Sequence, residues 1–134
     1  MKKILVTILC FIMVFLLVGC GSKTSEIRTY NVESEMYSQE EITSAIETIK
    51  EEFKSDWKGC TLKEIYYAGD ESSKDYQDWA DRNNADEVIV LLSSFYVGRN
   101  GGNGSLNTNY TYENWNWILV RTNDGEWVHV DHGY

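Results

Sequence analysis

Ser38-Gln39-Glu40-Glu41-Ile42-Thr43-Ser44-Ala45-Ile46-Glu47-Thr48-Ile49-Lys50-Glu51-Glu52-Phe53 is the stretch on which the fold turns. Ile42, Ala45, Ile46, Ile49 and Phe53 recur at spacings of three and four, the period of one helix face. Glu40, Glu47, Lys50, Glu51 and Lys54 fall between them and make the opposite face polar. Ser38 followed three residues later by Glu41 has the form of a capping box, in which each side chain satisfies a free backbone N–H of the other. The spacing therefore predicts an amphipathic helix of about four turns. It should end near Asp56 or Trp57, ahead of Gly59. Such a stripe is expected to be core, so the rest of the chain must supply a surface to receive it.

The residues downstream read as that surface. Thr61 to Ala68 is rich in β-formers, Leu62, Ile65, Tyr66 and Tyr67 among them, and predicts a strand. Gly69-Asp70-Glu71-Ser72 reads as a turn. Ser72 or Ser73 then caps a second, shorter helix on which Tyr76, Trp79 and Ala80 share a face, with Asn83-Asn84 at its end. Glu87 to Val97 holds Val88-Ile89-Val90-Leu91-Leu92 and Phe95-Tyr96-Val97, a continuous apolar run typical of a strand covered on both faces. A Gly/Asn-rich loop follows from Gly98. Trp115 to Arg121 and Glu126 to His132 form a final hairpin around Asn123-Asp124-Gly125, residues that tolerate positive φ. The fold class is thus α+β: a long N-terminal amphipathic helix and a short second helix on an antiparallel sheet of about four strands.

Strict alternation along that hairpin sends Trp115, Trp117 and Leu119 one way and Asn116, Ile118 and Val120 the other. On the partner strand it places Trp127, His129 and Asp131 together, with Val128, Val130 and His132 opposite. Both faces are apolar, so one should meet the helix and the other a second layer, a pocket or a partner.

The N-terminus carries an address. Lys2 and Lys3 precede an apolar run from Ile4 to Val18. Those 15 residues reach about 22 Å as a helix, short of a hydrocarbon core of about 30 Å. A positive start, a short apolar run and a small residue at its end fit a cleaved export signal. Leu17-Val18-Gly19-Cys20 resembles the lipobox of bacterial lipoproteins. That resemblance implies cleavage after Gly19 and a diacylglyceryl thioether on Cys20, whose acyl chains would hold the protein on the extracytoplasmic face of the cell membrane. The expected organisation is a signal over 1–19, a tether over 20–36 and one domain over 37–134. Without Lys2 and Lys3, ten basic residues stand against 21 acidic ones, a net charge of −11. This excludes nucleic acid as a partner and leaves membrane attachment to the lipid alone. With Cys10 removed and Cys20 acylated, Cys60 has no partner for a disulfide within one chain, and it reads as a packed, inert thiol.

The helix followed by a sheet ending in Trp117-Ile118-Leu119-Val120-Arg121, a turn and Glu126-Trp127-Val128-His129-Val130 resembles small secreted domains of the nuclear transport factor two-like and cystatin-like type. It is also similar to small lipoproteins of Gram-positive bacteria. The resemblance implies a pocket between the helix and a curved sheet, and fold alone implies no activity.

Two groups of residues carry candidate chemistry. His129, Asp131 and His132 have the residue types of a metal or acid–base site, but alternation separates His132 from the other two and the spacing matches no zinc signature. Gly98-Arg99-Asn100-Gly101-Gly102-Asn103-Gly104-Ser105 lacks the ending of a phosphate loop and the carboxylates of a calcium loop. It leads into Tyr110, Tyr112, Trp115 and Trp117, interleaved with Asn107, Asn109, Asn114 and Asn116. Aromatic faces beside amide groups suit sugar rings or peptides. Tyr110, Tyr112, Trp115 and Trp117 are therefore the candidate ligand-binding residues, with Arg99 as a contact for an anionic group. The leading expectation is a non-enzymatic binding module for a cell-wall glycan, peptide or protein, with no cofactor. Two alternatives stay open: a small hydrolase or metal-dependent enzyme using the His/Asp cluster, and a structural accessory subunit of a surface complex.

Overall fold

A computed structural model describes residues 26–134. The expected signal, the lipobox and Cys20 lie outside the described residues. Among those described, three helices and a four-stranded antiparallel sheet build an α+β fold. In chain order they are α1 (Gln39–Asp56), β1 (Cys60–Tyr67), α2 (Asp70–Asp75), α3 (Gln77–Arg82), β2 (Glu87–Val97), β3 (Tyr110–Arg121) and β4 (Val128–Gly133). The strands are ordered β1-β2-β3-β4, so each pairs with its neighbour in sequence. No described helix is long and apolar enough to cross a membrane.

Helix α1 begins where its cap dictates. The Ser38 hydroxyl accepts from the Glu41 N–H at 3.2 Å, and the Glu41 carboxylate accepts from the Ser38 N–H at 2.9 Å. Ile42, Ala45, Ile46, Ile49 and Phe53 are all buried against one face of the sheet, where they meet Leu62, Ile65, Tyr67, Ile89, Leu91, Phe95, Trp117 and Leu119. Burying each large apolar side chain of the stripe contributes roughly 1.5–3 kcal/mol, which is why a polar residue there is costly. The opposite face of the sheet is also covered: Ala80 packs on Val88, Ile118 and Val120, with Tyr76, Trp79 and Val130 at the margin. The second apolar face of the hairpin thus meets a second layer.

Two expectations are corrected, the second helix and the start of β3. The second helix is two short ones, broken at Tyr76, and the first starts at Asp70 after Gly69 with no side-chain cap. Ser73 is instead fully buried, its hydroxyl within 3.2 Å of the Tyr67 phenol, a polar contact inside the core. Within residues 26–36, the described part of the expected tether, Arg28 bridges to the open edge of β1. Arg28 donates to Lys63 and accepts from Ile65 through backbone bonds of 3.0 and 2.9 Å, and Ile27 and Val32 pack on the core. An unpaired strand edge is a row of free N–H and C=O groups, and this segment satisfies part of it. Finally, β3 starts at Tyr110 rather than Trp115.

The pairing registers explain that last difference. β1 shifts by one residue between Leu62 and Glu64, β3 between Tyr112 and Trp115, and both irregularities lie opposite Ser94 of β2. A third shift leaves Val130 of β4 between Asp131, paired with Ile118, and His129, paired with Leu119. A bulge adds a residue, bends its strand and reverses the facing of everything beyond it. Tyr112 and Trp115, which plain alternation would send to opposite faces, therefore share the helix-facing side.

Candidate functional site

A cleft of about 740 Å³ opens where α1 ends, bounded by Trp57 and Cys60, by Asn100, Gly102 and Leu106 of the loop, and by Trp115 and His132 of the sheet. Two glycines build its corner. Gly98 donates its N–H to the Gly59 carbonyl at 2.9 Å. Gly59 has φ +78°, and a Cβ added to Gly101 would sit 2.6 Å from the Gly59 oxygen. Only backbone without side chains can approach this closely. The loop from Gly98 to Asn109 is thus fastened to the α1–β1 turn, and the Tyr112 hydroxyl accepts from the Asn107 N–H at 2.9 Å.

The floor of the cleft is aromatic. Trp57 stacks on Phe53 with centroids 5.5 Å apart and stands edge-on to Phe95, Trp115 and Trp117. His132 lies 5.1 Å from Trp57 and stacks on Trp115 at 5.7 Å. The two central tryptophans differ in one decisive respect. Trp117 is fully buried and its indole N–H donates to the Ser93 hydroxyl at 2.7 Å. Trp115 is 8% exposed, and its Nε1 is the single buried side-chain polar atom among the described residues with no hydrogen-bond partner. Buried donors are nearly always paired, and the exception here belongs to a residue that lines the cleft.

The expected binding residues separate accordingly. Trp115 lines the cleft. Trp117 belongs to the core beneath it, with its indole N–H paired to Ser93. Tyr112 is buried and stacks on Phe95 at 5.3 Å, again as support. Tyr110 is half exposed and packs edge-on to Tyr112. Arg99 is exposed and does not line the cleft. Trp57 and His132, which the binding assignment left out, are walls of the cleft instead.

The bulge at Val130 overturns the separation of the histidines. His129 and His132 share the helix-facing side, with His132 Nδ1 3.2 Å from His129 Nε2, while Asp131 pairs opposite Ile118 on the other face. The carboxylate beside His129 is Glu52 of α1, whose oxygens lie 2.7 and 2.8 Å from Nδ1. Burial lowers the His132 pKa, and the neighbouring His129 charge lowers it further. Burial pushes the Cys60 thiol up, against a smaller opposing effect of the Gly102 N–H, so it stays protonated and is a poor nucleophile. Among the described residues, no group of three or more His, Cys, Asp or Glu side chains is placed to hold a metal ion.

One polar cluster escaped the sequence reading. Arg121 is 7% exposed, donates to Glu87 at 2.8 Å and to Glu41, and lies 4.4 Å over the Trp127 ring. It ties the capped end of α1 to the sheet, at the opposite end of the helix from the cleft. Comparison with protein-family models, curated proteins and solved structures finds no match.

Proposed function

We propose that this chain is a lipid-anchored extracytoplasmic protein whose domain is a non-enzymatic binding module, with its ligand seated in the cleft at the end of α1. The observation that carries the binding reading is the aromatic wall built by Trp57, Trp115 and His132, in which the buried indole N–H of Trp115 has no partner. A sugar ring or peptide fits that chemistry: an apolar face to stack on Trp57 or Trp115, and an oxygen to accept from Nε1. The loop amides of Asn100 and Asn103 supply further polar contacts at the opposite rim. In this reading the long helix forms one wall, and the bulged sheet turns Trp115 and His132 toward the opening. Anchoring rests on Leu17-Val18-Gly19-Cys20, with the membrane as partner through lipid on Cys20.

A thermal-shift screen of the full chain in detergent against cell-wall glycans and peptides tests the proposal. Stabilisation by one class, lost in Trp115→Phe, is the expected result. That variant keeps an aromatic six-membered ring and removes the pyrrole half that carries the donor. A ligand that stabilises the wild type and Trp115→Phe equally would place binding elsewhere.

A further inference from the structure

We propose that His129 and His132 form a two-nitrogen site for a tetrahedral divalent transition metal of the zinc class, with Glu52 orienting His129 from behind. His132 is shared with the wall of the cleft, but metal binding at this pair needs no cleft ligand. Three observations carry it.

The first is the spacing. A metal about 2.0–2.1 Å from each imidazole nitrogen with a tetrahedral angle sets the nitrogens about 3.3 Å apart and the ring centroids about 5.3 Å apart. His129 Nε2 and His132 Nδ1 are 3.2 Å apart, and their centroids are 5.2 Å apart. The same spacing lets the two rings share a direct hydrogen bond when no metal lies between them. Square-planar copper would bring the nitrogens to about 2.9 Å, which this pair exceeds.

The second is the carboxylate. Glu52 contacts His129 Nδ1, which places a proton on that nitrogen, so the neutral ring would offer Nε2 to a metal. Carboxylates behind ligating histidines fix the tautomer and raise ligand basicity in this way. His132 would then bind through Nδ1 as its Nε2–H tautomer.

The third is rigidity. The His129 side chain is only 12% exposed and its ring stands against Trp117, while the exposed His132 packs against Trp57, Trp115 and Trp117 on one side. The bulge at Val130 is what places both on one face. Two protein ligands leave two positions for water, so binding is expected in the micromolar range and not at the strength of a four-ligand structural site.

Histidine-ring NMR of the full chain in detergent, titrated with Zn²⁺ near neutral pH, reads the site without any other activity. The expected result is saturable movement of the His129 and His132 ring signals at one metal per chain. Glu52→Gln should weaken that binding by about 10- to 100-fold. His129→Gln should abolish it. Ring signals of the wild-type protein that stay still up to millimolar Zn²⁺ would overturn the proposal. So would zinc binding that survives in His129→Gln.

Discussion

Replacing Arg121 by Met is the perturbation with the largest expected effect on stability. The guanidinium is 7% exposed and bridges Glu87 of β2 and Glu41 of α1, with Asp124 3.7 Å away. Glu41 already serves the capping box through its other oxygen, and its backbone carbonyl accepts from the Trp127 indole at 3.1 Å. Methionine preserves much of the packing on Trp127 but leaves two carboxylates facing each other without a cation. Breaking a buried pair from one side costs about 3–5 kcal/mol. Glu41 and Glu87 keep 31% and 37% of their side-chain surface, so water relieves part of that cost. The expected destabilisation is about 2–4 kcal/mol. At about 4 °C per kcal/mol for a domain of this size, Tm should fall by about 8–16 °C. The assay is a thermal melt at pH 7 with a parallel melt of Glu41→Gln and of the double variant. The cycle should return a coupling of more than about 0.5 kcal/mol, since the groups are in contact. Acid should narrow the gap. The Glu41 carboxyl is held below its ordinary range, first by the Ser38 N–H and then by Arg121. A depressed carboxyl contributes stability above its unfolded pKa, lost as pH falls through the folded value. A melt of Arg121→Met within about 2 °C of wild type at pH 7 would refute the reasoning.

Three further outcomes are expected. Gly101→Ala forces a methyl onto the Gly59 carbonyl at 2.6 Å, so the loop must lift from the α1–β1 turn. A denaturant titration should show a loss of about 1–3 kcal/mol, and an unchanged midpoint would deny the close approach. The Asp70 carboxyl is lowered to about 2, first by the Ser34 hydroxyl and then by the Tyr67 phenol. Its contribution is complete above its unfolded pKa near 4 and disappears toward pH 2. Asp70→Asn should therefore flatten the pH dependence of Tm between those values, and a slope equal to wild type would contradict the assignment. Cys20→Ser should abolish incorporation of an acyl-chain analogue in cells, and undiminished labelling would remove the lipid anchor from the account.

The parts of the fold legible in the sequence are those governed by a single unbroken period. Ile42 to Phe53 gave the buried face of α1, Val88 to Leu92 the doubly covered β2, and Asn123-Asp124 the positive-φ turn, at +49° and +57°. What alternation missed are the bulges. Asn114 has φ +55° and interrupts the period of two, so β3 read as starting at Trp115. The extra residue at Val130 reversed His132, and a shift of one residue in register is invisible to a pattern of one residue in two. The site was half legible for the same reason. Trp115 and Trp117 are equivalent in sequence pattern. They differ because Ser93 lies beneath one indole and not the other, a pairing that crosses 24 residues of chain. Trp57 looked like the mere end of a helix. Its role depends on Phe95, Trp115 and Trp117 converging on it from two distant strands.

The most direct test of the cleft is the indole region of a nitrogen–proton correlation spectrum. Trp117 Nε1–H, bonded to Ser93, should show a signal that no cleft ligand displaces far. Trp115 Nε1–H should shift on adding the glycan or peptide that stabilises the fold, as it gains an acceptor. If that ligand binds while the Trp115 indole signal stays where it was, the unpaired donor is not the contact and the central claim is wrong.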